Sequence, residues 1–190
     1  TPGFIAILNQ ISNLWKTNQQ SVIASSDQVT NVLQSMAATT PGVILTEETL
    51  KYAYEQLRDN FDDISGGFGS SPKFPTPHNY TFLLRWWKRS NDPMSLEMVE
   101  KTLERMGRGG MYDHLGGGFH RYSTDEYWLV PHFEKMLYDQ ALTAMVYTET
   151  YQATGKAYYA DIAKGIFTYV LRDMTSSEGG FYSAEDADSE

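Results

Sequence analysis

The feature that most constrains this chain is a repeated punctuation mark between helix-length segments. A glycine pair followed by an aromatic, or by Met and Tyr, stands at Gly66-Gly67-Phe68, Gly109-Gly110-Met111-Tyr112, Gly117-Gly118-Phe119 and Gly179-Gly180-Phe181-Tyr182. Paired glycines allow positive φ and close backbone approach, so each pair marks a tight corner. No segment between them shows a sustained strand alternation. The grammar of helix, Gly-Gly-aromatic corner, helix predicts an all-α fold of αα-hairpin repeats. From Gly66 to Gly179 there is room for about two hairpins, too few to close a ring.

The helices follow from apolar spacing and from their ends. Phe4, Ile7, Leu8, Ile11 and Trp15 keep the i, i+3, i+4, i+7 pattern, continued by Val22, Val29, Val32, Leu33 and Met36. A polar patch at Asn18–Ser21 predicts a kink or break, and Pro41-Gly42 an end. Thr46 is a candidate N-cap, with Glu47 and Glu48 in the first turn where the helix dipole favours acids. Thr76-Pro77 and Asp92-Pro93 each pair a capping residue with proline at the first helical position. A longer helix is expected from about His132 to Thr154, stopping at Gly155, and a last one from about Ala157 to Asp173.

Composition excludes several functions. The 190 residues suffice for one domain with a real core, and 14% are aromatic, including 13 Tyr and 4 Trp. The formal net charge is -9. No cluster of Lys and Arg is visible, so no nucleic-acid partner is expected. There is no cysteine, hence no disulfide, thiolate metal site or thiol redox chemistry. No run of about 18 apolar residues predicts a membrane span, and Thr1-Pro2-Gly3-Phe4 has no signal core. The expectation is a cytoplasmic chain. Starting without Met and stopping inside Ser183–Glu190, it reads as a fragment or processed product.

Chemistry concentrates in Gly109–Gln140. Three of the four histidines, His114, His120 and His132, fall there. Histidine is the side chain best matched to proton transfer near neutral pH. With His132 in a helix first turn, the dipole would keep its ring neutral. On that helix Glu134 and Tyr138 would share one face, and His132, Lys135 and Asp139 a neighbouring one. A lone loop histidine is most often structural, but three so close favour function. His78 reads as a surface or packing residue.

The glycines are not a phosphate loop, because neither G-x-x-x-x-G-K-[ST] nor a strand-linked G-x-G-x-x-G occurs. The histidine spacings do not match H-E-x-x-H, so no zinc and no other cofactor is expected. Glu185-Asp186-Ala187-Asp188-Ser189-Glu190 partly matches the start of a calcium loop. It reads otherwise as a solvated loop, or as carboxylates lining the histidine pocket. In Gly66–Pro75, Lys73 either faces a ligand or snorkels from the surface.

Four long motifs carry a resemblance. Gly66-Gly-Phe-Gly-Ser-Ser-Pro-Lys-Phe-Pro75, Gly116-Gly-Gly-Phe-His-Arg-Tyr122, Trp128-Leu-Val-Pro-His-Phe-Glu-Lys-Met-Leu-Tyr-Asp-Gln140 and Phe181-Tyr-Ser-Ala-Glu-Asp-Ala-Asp-Ser189 resemble the spermatogenesis-associated, thioredoxin domain-containing family. The resemblance implies a thioredoxin-like domain followed by an (α/α)6 toroid related to N-acylglucosamine 2-epimerases and six-hairpin glycosidases. Residues 1–38 then resemble the helical end of the first part and its linker, and 44–190 the first portion of the toroid. Lys135-Met-Leu-Tyr-Asp-Gln-Ala141 also resembles a segment of sugar epimerases. The thioredoxin motif and the remaining hairpins are missing partners of this chain.

The functional expectation is an enzyme acting on a small carbohydrate or similar polyol. Catalysis falls to a histidine pair among His114, His120 and His132, with Glu134 orienting. Lys73 and Arg121 would bind oxygens. Phe119, Tyr122 and Trp128 would stack on the ligand, with Tyr138, Asp139, Glu185, Asp186 and Asp188 completing its contacts. Two alternatives stand beside it. One is glycoside hydrolysis by Glu134 with Asp186 or Asp188. The other is a non-enzymatic binding or redox-partner scaffold.

Overall fold

The computed structural model describes residues 2–38, 42 and 44–188, in two compact units, Thr1–Leu45 and Thr46–Glu190. The first unit holds α1 (Phe4–Thr17) and α2 (Gln19–Ala37). The break falls at Asn18, where the polar patch predicted it. Its φ of -149° leaves the helical region, and its side chain accepts from the Ser21 N–H at 3.4 Å. The expected end at Pro41 lies outside the described residues.

The second unit contains α3 (Glu47–Asp59), α4 (Pro77–Ser90), α5 (Pro93–Arg108), α6 (Leu137–Thr154) and α7 (Ala157–Asp173). Short turns join α4 to α5 and α6 to α7, and each pair packs as an αα-hairpin. α4 also packs on α6. Their shared core includes Tyr80, Leu83, Met98, Leu103, Met106, Tyr147, Tyr159 and Ile166, all essentially closed to solvent. Asp92 caps α5 by accepting from the Met94 N–H at 3.1 Å. Gly155 ends α6 in the left-handed region, at φ 70°. Thr76 differs from expectation. It enters α4 with φ 42° and no side-chain cap, so Pro77 alone opens that helix.

One helix begins later than predicted. Pro131–His132 and Lys135–Met136 are two-residue strands, β2 and β3, and α6 starts at Leu137. β2 pairs antiparallel with β1 (Tyr122–Ser123), and β3 with β4 (Ala184–Glu185). His132, Glu134 and Lys135 are therefore not on a helix. The proposed helical faces and the dipole argument for His132 both fall.

The corners repeat one construction. In the first, the Asp62 N–H donates to the Gly67 carbonyl at 3.0 Å, while the Asp62 Oδ1 accepts from Ile64 and Ser65 N–H at 2.9 Å each. Its Oδ2 receives the Lys73 ammonium at 2.6 Å. In the second, the Asp113 N–H donates to the Gly118 carbonyl at 3.0 Å, Asp113 Oδ1 accepts from Leu115 and Gly116 N–H, and Oδ2 receives Lys135 at 2.7 Å. A third corner has Ser176 in the aspartate's place, its N–H donating to the Gly180 carbonyl at 2.7 Å. Each lysine strand also pairs with the next repeat. Lys73 exchanges two backbone bonds with Ser123, and Lys135 pairs with Glu185. The corners are thus stitched to one another in series.

Candidate functional site

The second corner sets the site's base. Gln140, in the first turn of α6, clamps the backbone of Phe119 from both sides. It accepts from the N–H at 2.8 Å and donates to the carbonyl at 2.6 Å. This fixes the path of the next residue, His120, which is 7% exposed. His120 Nδ1 lies 3.2 Å from the Phe133 carbonyl. A carbonyl oxygen only accepts, so in the neutral ring Nδ1 carries the proton and Nε2 the lone pair. Burial holds the ring below the usual imidazole range, and the Lys135 ammonium pushes the same way. The Phe133 carbonyl, Asp113 and Glu185 oppose them. The net effect favours the neutral ring.

The residue after it runs along the same segment. Arg121 donates its backbone N–H to the Glu134 carbonyl and its guanidinium to Glu134 Oε2, both at 2.8 Å. With side-chain exposures of 39% and 23%, this ion pair is screened by solvent and adds little stability. Its use is to present a cation and a carboxylate together. His132 Nδ1 sits 4.0 Å from the same Glu134 oxygen. The His132 ring stacks on Tyr122 at 4.8 Å, and Tyr122 packs at a tilt against Phe74 at 4.9 Å. His120 and His132 therefore flank the Phe133-Glu134 dipeptide.

The start of α6 and β4 add polar groups. Tyr138 is exposed and contributes to the field on Arg121. Asp139 is pushed up to about 6, chiefly by burial and also by Glu134, against the pull of Arg121. Glu185 accepts from the Tyr169 hydroxyl at 2.5 Å. That phenol is raised above its usual range by burial first and by Glu185 second.

Other candidates lie elsewhere. His114 is exposed and its Nε2 contacts the Gly109 carbonyl at 2.9 Å, at the end of α5. It does not join the other two histidines. Lys73 is fully buried against Asp62, the Glu126 carbonyl at 3.2 Å and the Trp128 ring. It neither snorkels nor faces an open surface. Phe119 and Trp128 are core residues with no exposure. The Trp128 indole fills the space over Gly67 and donates to the Ser65 carbonyl at 3.0 Å. Asp186 and Asp188 are exposed, and the one hydrogen bond found for either links the Asp188 N–H to Asp186. Ser189 and Glu190 lie outside the described residues. Among the described residues, no three or more His, Asp or Glu side chains gather as a metal site.

No protein-family model matches the chain. Spermatogenesis-associated protein 20 of Mus musculus is 43% identical to it over 195 aligned residues, covering 98% of this chain and 25% of that protein. The chain thus spans about a quarter of the length of the curated relatives it matches. Among solved structures, a cellobiose 2-epimerase from Bacillus thermoamylovorans B4167 aligns with TM-score 0.62 at 16% identity, over 74% of this chain and 40% of that one. A sugar epimerase from a ruminal bacterium aligns with TM-score 0.63 at 17% identity, over 71% and 37%. The fold is part of an α/α toroid. Identities this low carry the fold alone.

The aspartates of the corners were missed in the sequence reading, although their signal was present. Phe61-Asp62 and Tyr112-Asp113 each precede Gly-Gly-Phe at the same spacing. Only the glycines were read as the repeat. Gln140 carried no local signal, because its partner Phe119 is distant in sequence.

Proposed function

We propose that this chain is part of a carbohydrate-active α/α-toroid protein in which His120 acts as base at the carbon beside a sugar carbonyl. The observation that carries the reading is the anchored His120 ring. A neutral imidazole with Nδ1–H committed to a backbone carbonyl presents Nε2 as acceptor. Taking the C2 proton of an open-chain aldose moves its electron pair toward the carbonyl oxygen, giving an enediolate. Return of a proton to the other face of C2 yields the 2-epimer, and return to C1 yields the ketose. His132 supplies that second proton. Arg121 bonds the oxygen where negative charge collects, and Glu134 orients Arg121 and the sugar hydroxyls. The exposed Phe133 offers an apolar face to the sugar. The structurally similar proteins described as a cellobiose 2-epimerase and a sugar epimerase support this substrate class.

Glycoside hydrolysis is a second reading, favoured by Asp139. A carboxyl pushed up to about 6 holds a proton for a leaving group, with Glu134 as the second carboxylate. In the longer protein, residues 1–38 would end a thioredoxin-like domain and further hairpins would close the pocket. The test is His120→Ala and His132→Ala in the full-length protein, assayed for aldose binding and epimerisation. Unchanged binding and turnover in both variants would sink the proposal.

A further inference from the structure

The two lysine clips are built alike but differ in what surrounds them. Lys73 and Lys135 are both buried, each bonded to the aspartate of its corner and each lying over an aromatic ring, Trp128 at 5.4 Å and Tyr169 at 4.4 Å. Lys135 also donates to the Gly117 carbonyl at 3.0 Å, inside the glycine turn itself. The residue following the first corner's Phe68 is Gly69, whereas the residue following Phe119 is His120. Only the second clip therefore has a histidine next to its corner.

The connection between Lys135 and His120 is also mechanical. Phe133-Glu134-Lys135 lies against Phe119-His120-Arg121. The Phe133 carbonyl meets the His120 ring, and the Glu134 carbonyl takes the Arg121 N–H. Lys135 pins the far end of this tripeptide to the base of the corner through Asp113 and Gly117. Its strand is held on the other edge by Glu185 of β4. The charged and titratable groups set around His120 are thus Lys135 on β3, Asp113 in the corner, Glu185 on β4, and Tyr169 on α7 beneath the ammonium.

We propose that Lys135 is a positioning residue for His120, holding the imidazole to the Phe133 carbonyl while placing a buried cation beside it. This role rests on His120 being the base in the reading above. It predicts that a structural motif present twice has acquired a second duty in one copy. An ammonium held at this point disfavours imidazolium and keeps the ring available as an acceptor. A purely structural clip would do neither.

The experiment is an NMR titration of the imidazole resonances in the wild-type chain and in Lys135→Met, Lys135→Arg and Lys73→Met. Loss of the Lys135 cation shifts the His120 midpoint to higher pH. Lys135→Arg restores it toward wild type, and Lys73→Met leaves it in place. Should Lys135→Met fail to fold, the double variant Asp113→Asn/Lys135→Met removes both charges and leaves neither buried alone. Its His120 midpoint still moves upward, because the ammonium outweighs the Asp113 carboxylate at the ring. An unmoved midpoint in whichever variant folds, or an equal movement in Lys73→Met, overturns the proposal. The titration reads the coupling without substrate. A sugar assay that fails while the midpoint shifts would therefore refute the function and not the coupling.

Discussion

Asp139→Asn is expected to make the chain more stable at neutral pH. Burial pushes the Asp139 carboxyl from 3.8 up to about 6 in the fold. The folded state thus binds this proton more tightly than the unfolded state does. Stability is highest with the group protonated, falls as pH rises through about 4, and levels off above about 6. A difference of about 2 units at 1.36 kcal/mol each sets an upper bound of about 3 kcal/mol. Partial exposure reduces this to about 1–2 kcal/mol. Asparagine has the same shape and no charge to desolvate. The variant should gain that amount near pH 7.5 and almost nothing near pH 4. Urea unfolding followed by tryptophan fluorescence at the two pH values measures it. A variant less stable than wild type near pH 7.5, or one with the same gain at both pH values, would refute the reasoning.

Four further expectations concern the corners and the end of α6. Gly118→Ala should cost about 2–4 kcal/mol in urea unfolding, because φ is 79° and the new methyl would meet Tyr169 Cδ1 at 2.5 Å. Gly155→Ala, with φ 70° and open space around it, should cost only about 1–2 kcal/mol. Lys73→Met should cost about 3–5 kcal/mol by leaving Asp62 unpaired, and Asp62→Asn/Lys73→Met should recover most of the loss. Acid should weaken both clips. Partial burial works against ionisation of Asp62 and Asp113, yet their lysines and backbone N–H groups hold both below the usual carboxylate range. The stability they contribute is complete above about pH 4 and disappears as pH falls below it, readable as a drop in the urea midpoint that Asp113→Asn/Lys135→Met makes shallower.

Helices were legible wherever an apolar stripe and a terminal residue agreed. Asn18 breaks the first stripe and caps the second, Asp92 caps α5, and Gly155 stops α6, each from local chemistry alone. The start of α6 was not legible. Phe133, Met136 and Leu137 extend its apolar spacing backwards, while the strands that replace the helix are only two residues long. Their partners, Tyr122 and Glu185 among them, are set by the tertiary fold. Trp128 and Lys73 suggested a ligand surface because aromatic and cationic side chains serve both sites and cores. What places them inside is their mutual contact over Gly67, which joins residues far apart in sequence. Within the window Gly109–Gln140, Arg121 and His132 both approach Glu134, and His120 lies against the neighbouring Phe133 carbonyl. His114 is held apart by the Gly109 carbonyl.

The most direct test of the central claim is solvent exchange at the sugar. The full-length protein would be incubated with mannose, glucose or cellobiose in heavy water, and deuterium at C2 followed by NMR. The account predicts incorporation at C2 of at least one of these sugars, abolished by His120→Gln and retained in His114→Gln. No incorporation with any of them, or incorporation that survives His120→Gln, would contradict it.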